Sequence, residues 1–286
     1  MKTSRLFLSA ATIALMTSAY SCGNGNGSAN DTDSIISSMK MTMDIKSASR
    51  NFKIKSFDPE FECYLTISAD VQWPTSIGAY DISSLQDTLL AIAFPDQKIR
   101  DIDSVILDYT ADAKAYELGD SITTISNIPD NDNSSISIQA NYFNNVKIQL
   151  TEINDQLATF NVQTIQYMGG AHPNSGSFPF SYDLTTGNVI NYDWLFKEGS
   201  EDDILDAIKN EVARQLDIMP DELADIQISE FAIPASVYIL NGCIVFHYNH
   251  YEVLPYSYGA IDVTLSPIYI SSLLTDQAKE LFNTDL

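Results

Sequence analysis

Ser236-Val237-Tyr238-Ile239-Leu240-Asn241-Gly242-Cys243-Ile244-Val245-Phe246-His247-Tyr248 reads as two strands joined by a two-residue turn. β-branched and aromatic residues fill both arms, and Asn-Gly supplies the two positive-φ positions that a tight antiparallel hairpin requires. Outward from this hairpin the pattern repeats. Residues 135–153 and 157–168 form long strands across Asn154-Asp155, and 178–184 turns at Thr185-Thr186-Gly187-Asn188 into Val189-Ile190. Residues 261–265 make a last strand. Nearer the N-terminus, 51–55 and 60–67 alternate polar and apolar with a period of two and predict a hairpin turning at Asp58-Pro59.

Helices interrupt these hairpins. Ser83 is placed to cap a helix carrying Leu85, Leu89, Leu90 and Ala93, which Pro95 stops. A second is expected over 96–118, with Ile99, Ile102, Ile106 and Tyr109 on one side and Gly119 at its end. A third, over 201–216, puts Ile204, Ile208 and Val212 on one face and three acids in its first turn, where the helix dipole favours them. A short helix is expected near 275–282. Hairpins with inserted helices and no βαβ rhythm indicate an α+β fold: antiparallel sheets of hairpins with a few packed helices.

Residues 1–21 have the layout of a signal peptide: Lys2 and Arg5, an apolar run over 6–19, then Ala19-Tyr20-Ser21 before Cys22. The run is shorter than the roughly 20 residues that span a bilayer. Cleavage before the first cysteine, followed by Gly23-Asn24-Gly25-Asn26-Gly27-Ser28, favours lipidation of Cys22 and a flexible tether over 22–49. Ala19 stands where a lipobox usually has Leu, and Ala19-x-Ser21 also suits the ordinary signal peptidase, so a soluble periplasmic or secreted form is the alternative. Gly23 is not the Asp of inner-membrane retention and no acidic cluster follows, so the expected location is the outer membrane, facing the periplasm.

The full chain has 15 Lys and Arg residues against 38 Asp and Glu, and is 45% hydrophobic with 10% aromatic residues. Loss of Lys2 and Arg5 with the signal leaves 13 basic residues and a net charge of −25. Such a chain buries a real core but repels phosphate backbones and anionic lipid, which excludes nucleic acid as a partner and limits membrane contact to the N-terminal lipid. A basic protein would instead be drawn in; the plainer reading is that the acidity only keeps the protein soluble. With Cys22 lipidated, only Cys63 and Cys243 remain, both in strand-like runs; buried thiols are expected, and pairing is left open. No cysteine or histidine spacing calls for zinc, no GxSxG elbow is present, and no cofactor motif occurs.

Four motifs stand out in order: Tyr167-Met168-Gly169-Gly170-Ala171-His172-Pro173-Asn174, Tyr182-Asp183-Leu184-Thr185-Thr186-Gly187, Trp194-Leu195-Phe196, and Tyr251-Glu252-Val253-Leu254-Pro255-Tyr256-Ser257-Tyr258-Gly259. Over about 165–274 they resemble the extracellular domain of unknown function shared by RsiV-type lysozyme-sensing anti-sigma factors and PdaC-type peptidoglycan deacetylases. Residues from 51 to about 168 resemble its usual N-terminal companion by strand pattern and position. The organisation expected is an N-terminal α+β region over 50–164 and a C-terminal domain over 165–286. The resemblance implies a module that binds at the cell envelope, with lysozyme or peptidoglycan as ligand, and implies no catalysis.

The candidate binding residues are Gly169, Gly170 and His172 in one loop, and Tyr251, Glu252, Pro255, Tyr256 and Tyr258 in another. Paired glycines permit a sharp turn or a close approach, and tyrosine offers rigid contact area with a hydrogen-bonding tip. The plainer readings are a turn in which His172 bonds neighbouring backbone, and tyrosines that serve the core. His247 and His250, on a continuing strand, would point to opposite faces. Two other functions are expected only if the site shows them: an envelope hydrolase pairing His172 with a carboxylate, or a structural lipoprotein acting through protein partners.

Overall fold

The computed structural model describes residues 41–56, 62–98, 100–112, 122–127 and 140–284. The signal peptide, Cys22, the tether up to residue 40, the Asp58-Pro59 turn and Gly119 lie outside the described residues. The fold is α+β, with two mostly antiparallel sheets and six helices among the described residues.

The larger sheet begins with β1 (Met41–Ser56) and β2 (Glu62–Ile77), antiparallel in register from Met41 opposite Ile77 to Lys55 opposite Glu62. Alternation in β2 sends Cys63, Leu65, Ile67, Ala69, Val71 and Trp73 to one buried face. Two helices follow, α1 (Ser83–Ala93) and α2 (Ile102–Ala111). Leu85, Leu89, Val105 and Ile106 join Ala69, Val71, Ile148, Phe160 and Val162 in the main core. Each large side chain so buried contributes about 1.5–3 kcal/mol.

After β3 (Ile122–Asn127), which pairs with the far edge of β1, β4 (Ala140–Ile153) returns beside β2 in parallel. β5 (Leu157–Tyr167), β6 (Asn174–Asp183) and β7 (Asn188–Ile190) then add antiparallel strands, in the order β3-β1-β2-β4-β5-β6-β7. The β4–β5 turn is made by Asn154, whose Oδ1 accepts from the N–H groups of Gln156 and Leu157 at 2.9 and 3.0 Å.

On the opposite face of β5–β7 lies a second core. It is built from α3 (Tyr192–Leu195), α4 (Glu201–Leu216), α5 (Leu223–Ile226), α6 (Asp276–Phe282) and a small sheet of β8 (Ser236–Leu240), β9 (Cys243–Tyr248) and β10 (Ile261–Leu265). Asn241 and Gly242 take φ of 52° and 72°, as the hairpin reading requires. Buried hydroxyls tie the small sheet to the large one: Thr159 Oγ1 donates to the Ile239 carbonyl at 2.9 Å, and Ser181 Oγ accepts from the Ile239 N–H at 2.8 Å. At the rim of this junction the Asn241 N–H donates to Glu152 at 2.6 Å. Burial raises that carboxyl above its ordinary value, and the same hydrogen bond offsets part of the rise.

Several sequence expectations are corrected here. β1 starts at Met41, so 41–49 are strand and not tether. A bulge at Thr42/Met43 shifts the phase of the alternation, and Lys46 meets Asp103 of α2 at 2.9 Å where an apolar residue would have been the plainer signal. Ser83 does not cap α1; it is the first helical residue, and its N–H donates to Oδ1 of Asp81, two residues earlier, at 3.0 Å. α2 begins at Ile102 because Asp101 caps it, accepting from the Ser104 N–H at 2.9 Å. The division at 164/165 falls inside β5, and β6 and β7 continue the same sheet. Cys63, by contrast, is the buried free thiol expected of it, and does not pair with Cys243.

Candidate functional site

Gly169 and Gly170 follow the end of β5 with φ of +98° and +103°, a conformation that disfavours any side chain. Space is not the constraint, since a Cβ on Gly170 would touch nothing and one on Gly169 would sit 3.5 Å from the Tyr142 ring. The turn is pinned by Tyr167, whose hydroxyl donates to the Gly170 carbonyl at 2.9 Å. It swings the chain outward and delivers His172 to the loop that follows β9.

His172 is half-buried, with Nδ1 at 3.1 Å from the Pro173 carbonyl and Nε2 at 3.1 Å from the Tyr251 hydroxyl. Its ring lies on that of Tyr256, with centroids 3.8 Å apart and planes within 12°. Tyr251 and His250 close on Tyr256 at 5.4 and 4.7 Å. Four rings from two loops thus form one cluster, with Tyr251 51% exposed at its outer side.

The second loop is held in three places. Asn249 Oδ1 accepts from the Ser177 N–H at 2.7 Å and its Nδ2 donates to the Ser177 carbonyl at 3.0 Å. Glu252 accepts from the Asn249 N–H at 2.8 Å, closing the turn in which Tyr251 takes a φ of 64°. Pro255 opens a single 3₁₀ turn, its carbonyl accepting from the Tyr258 N–H at 3.0 Å.

Beside the cluster opens a cleft of about 400 Å³. Its floor is the outer face of β4–β6, with Thr151, Asn161, Gln163, Ser175 and Ser177; its wall is His247, Asn249, His250, Tyr238 and Asp262. In the wall Asp262 Oδ1 lies 2.7 Å from His247 Nδ1, while His247 Nε2 faces Asn249 Oδ1 at 3.3 Å. Burial, and then the charge and hydrogen bond of Asp262, push the Tyr238 hydroxyl far above its ordinary value.

Of the residues singled out from the sequence, the structure brings together His172, Tyr251 and Tyr256, with Gly169 and Gly170 shaping the first loop. Glu252 and Pro255 build the second loop and do not join the ring cluster; Tyr258 is 42% exposed beyond it. Tyr248 serves the core, 1% exposed, its hydroxyl bonded to the Ala232 carbonyl at 2.7 Å. The expectation for His247 and His250 is corrected: β9 ends at Tyr248, the chain turns, and both histidines line the cleft. The hydrolase reading of His172 is corrected too, because its ring nitrogens face a backbone carbonyl and a tyrosine hydroxyl in place of a carboxylate. Sequence reasoning missed Asn161, Gln163, Asn249 and the His247–Asp262 pair. The first two looked like the wet face of any strand, and only the tertiary wall makes that face a cleft. Among the described residues no group of three or more His, Cys, Asp or Glu could hold a metal ion, and no helix is long and apolar enough to cross a membrane.

Residues 193–266 match a family described as a protein of unknown function, DUF3298. No curated protein matches the chain. Several solved chains share its fold, two of them as follows. A member of the DUF3298 family from Bacteroides fragilis is 16% identical, with a TM-score of 0.61 over 85% of this chain and 97% of its own. A DUF3298 family protein from Pseudomonas aeruginosa is 13% identical, with a TM-score of 0.54 over 83% of this chain and 96% of its own. The matched stretch contains the Trp194 and Tyr251–Gly259 motifs and leaves out the Gly169–His172 loop.

Proposed function

We propose that the chain is an exported binding protein, attached by a lipid on Cys22 to the periplasmic side of the outer membrane, whose ring-cluster rim contacts a basic protein such as lysozyme. The observation that carries this reading is the rim itself. Tyr251, Tyr256 and His172 come from two loops, stack on one another and leave one edge exposed, which is how rigid aromatic anchors are presented to a protein partner. The charge around it supports the same partner. No Lys or Arg occurs between Lys147 and Lys197 or between Arg214 and Lys279, the stretches that supply β5, β6, the small sheet and both loops. The motif resemblance to lysozyme-sensing and peptidoglycan-modifying proteins is a further reason to seek such a partner at the envelope. Peptidoglycan is the second ligand that the resemblance implies.

The test is retention of the mature protein on immobilised lysozyme against an equally basic, unrelated protein. Retention on lysozyme alone supports the reading. Equal retention on both, or none, contradicts it.

A further inference from the structure

We infer that the cleft between β4–β6 and the β9–β10 wall is a binding site for a short uncharged saccharide, as in the glycan part of an envelope polymer. This deepens the second ligand named above and rests on the chain being envelope-facing.

The first consideration is charge. The lining holds no Lys or Arg, so it offers a phosphate or carboxylate no permanent positive charge to pair with. Its one carboxylate, Asp262, is already engaged by His247 at 2.7 Å, and the lining offers a cationic ligand no second carboxylate. The ligand that fits is polar and neutral.

Hydrogen-bonding capacity comes next. Among the described residues, the Gln163 amide, the Thr151 hydroxyl and Asn161 Nδ2 make no hydrogen bond within the protein, while Asn161 Oδ1 accepts from Ser177 at 2.9 Å. Gln163 and Ser177 stand directly opposite on β5 and β6, and so do Asn161 and Pro179. They form a short grid of amides and hydroxyls on a rigid sheet. Side-chain amides can donate and accept at once, as vicinal sugar hydroxyls and acylamino groups require.

An extended peptide is the competing occupant, and it lacks an edge to pair with. β4 and β5 are interior strands. The outer edge of β6 beyond its pairing with β7 is occupied at Ser177 by the Asn249 amide and has no N–H at Pro179. A saccharide needs no backbone ladder. It does need an apolar face for its C–H surface, and His250, packed on Tyr256, supplies one at the mouth. About 400 Å³ lies at the lower end of small-ligand sites and suits a few sugar rings.

The experiment is calorimetric titration of the mature protein with tri-N-acetylchitotriose, maltotriose and an uncharged tripeptide, repeated on Gln163→Ala and Asn161→Ala. Both residues sit half-buried on the open face, and thermal melts run alongside show that the variants remain folded. The inference expects one of the saccharides to bind and each variant to weaken it tenfold or more. It is overturned if neither saccharide binds at millimolar concentration, if the variants bind as the wild type does, or if only the peptide binds. Lysozyme retention on the same variants separates the two readings. Saccharide binding without lysozyme retention removes the protein partner and leaves the cleft; the reverse removes the cleft and leaves the rim.

Discussion

Asn249 is joined to Ser177 as one strand residue is joined to its neighbour, its side-chain amide accepting from the Ser177 N–H at 2.7 Å and donating to the Ser177 carbonyl at 3.0 Å. Through this pair the loop carrying Tyr251 and Tyr256 borrows the rigidity of β6. Two net hydrogen bonds of about 0.5–1.5 kcal/mol each are at stake, so Asn249→Ala should cost about 1–3 kcal/mol in urea unfolding. Amide exchange over 249–259 should accelerate. Unchanged exchange there would mean that the loop is held by something else.

The two glycines offer a second check. At φ near +100° an L side chain costs on the order of 1–2 kcal/mol, so Gly169→Ala and Gly170→Ala should each lower the melting temperature by several degrees. If crowding rather than conformation were the cause, only Gly169 would respond, because a Cβ on Gly170 meets nothing.

A third concerns acid. Burial alone would raise Asp183, but hydrogen bonds from the hydroxyls and N–H groups of Thr185 and Thr186 outweigh it and hold the carboxyl below its ordinary value. A depressed carboxyl contributes stability that is present above the unfolded-state value of about 4 and is lost as pH falls through the folded-state value. Wild type should therefore exceed Asp183→Asn by about 1–3 kcal/mol at pH 7, and the difference should shrink below pH 4. A difference independent of pH would assign the effect to packing.

The N-terminal reading is testable on its own. Metabolic labelling with palmitate should mark the wild type and not Cys22→Ser, and the variant should move to the soluble periplasmic fraction. Wild-type protein that carries no label and fractionates as soluble would point to the ordinary signal peptidase.

What could be read before the structure was local. Asn241-Gly242 and Asn154-Asp155 state their turns in their own chemistry, and the acids and apolar face of α4 state that helix. The parallel pairing of β2 with β4 could not be read, because it depends on two helices and β3 folding back between strands distant in sequence. The rim was half legible: His172 and Tyr256 stand out as residues, but nothing in their spacing says that one ring lies on the other. The cleft was not legible at all, since the period-two pattern that identifies β5 also makes Asn161 and Gln163 look like ordinary solvent-facing positions.

Recognition of a basic partner depends on the rim. Its most direct measurement is the affinity of the mature protein for lysozyme at low and at physiological salt, for wild type and Tyr256→Ala. Binding that persists at physiological ionic strength, where exposed charges are screened beyond about 8 Å, and that weakens at least tenfold in the variant is the predicted result. Binding that vanishes with salt, or that is indifferent to the loss of the Tyr256 ring, would contradict it.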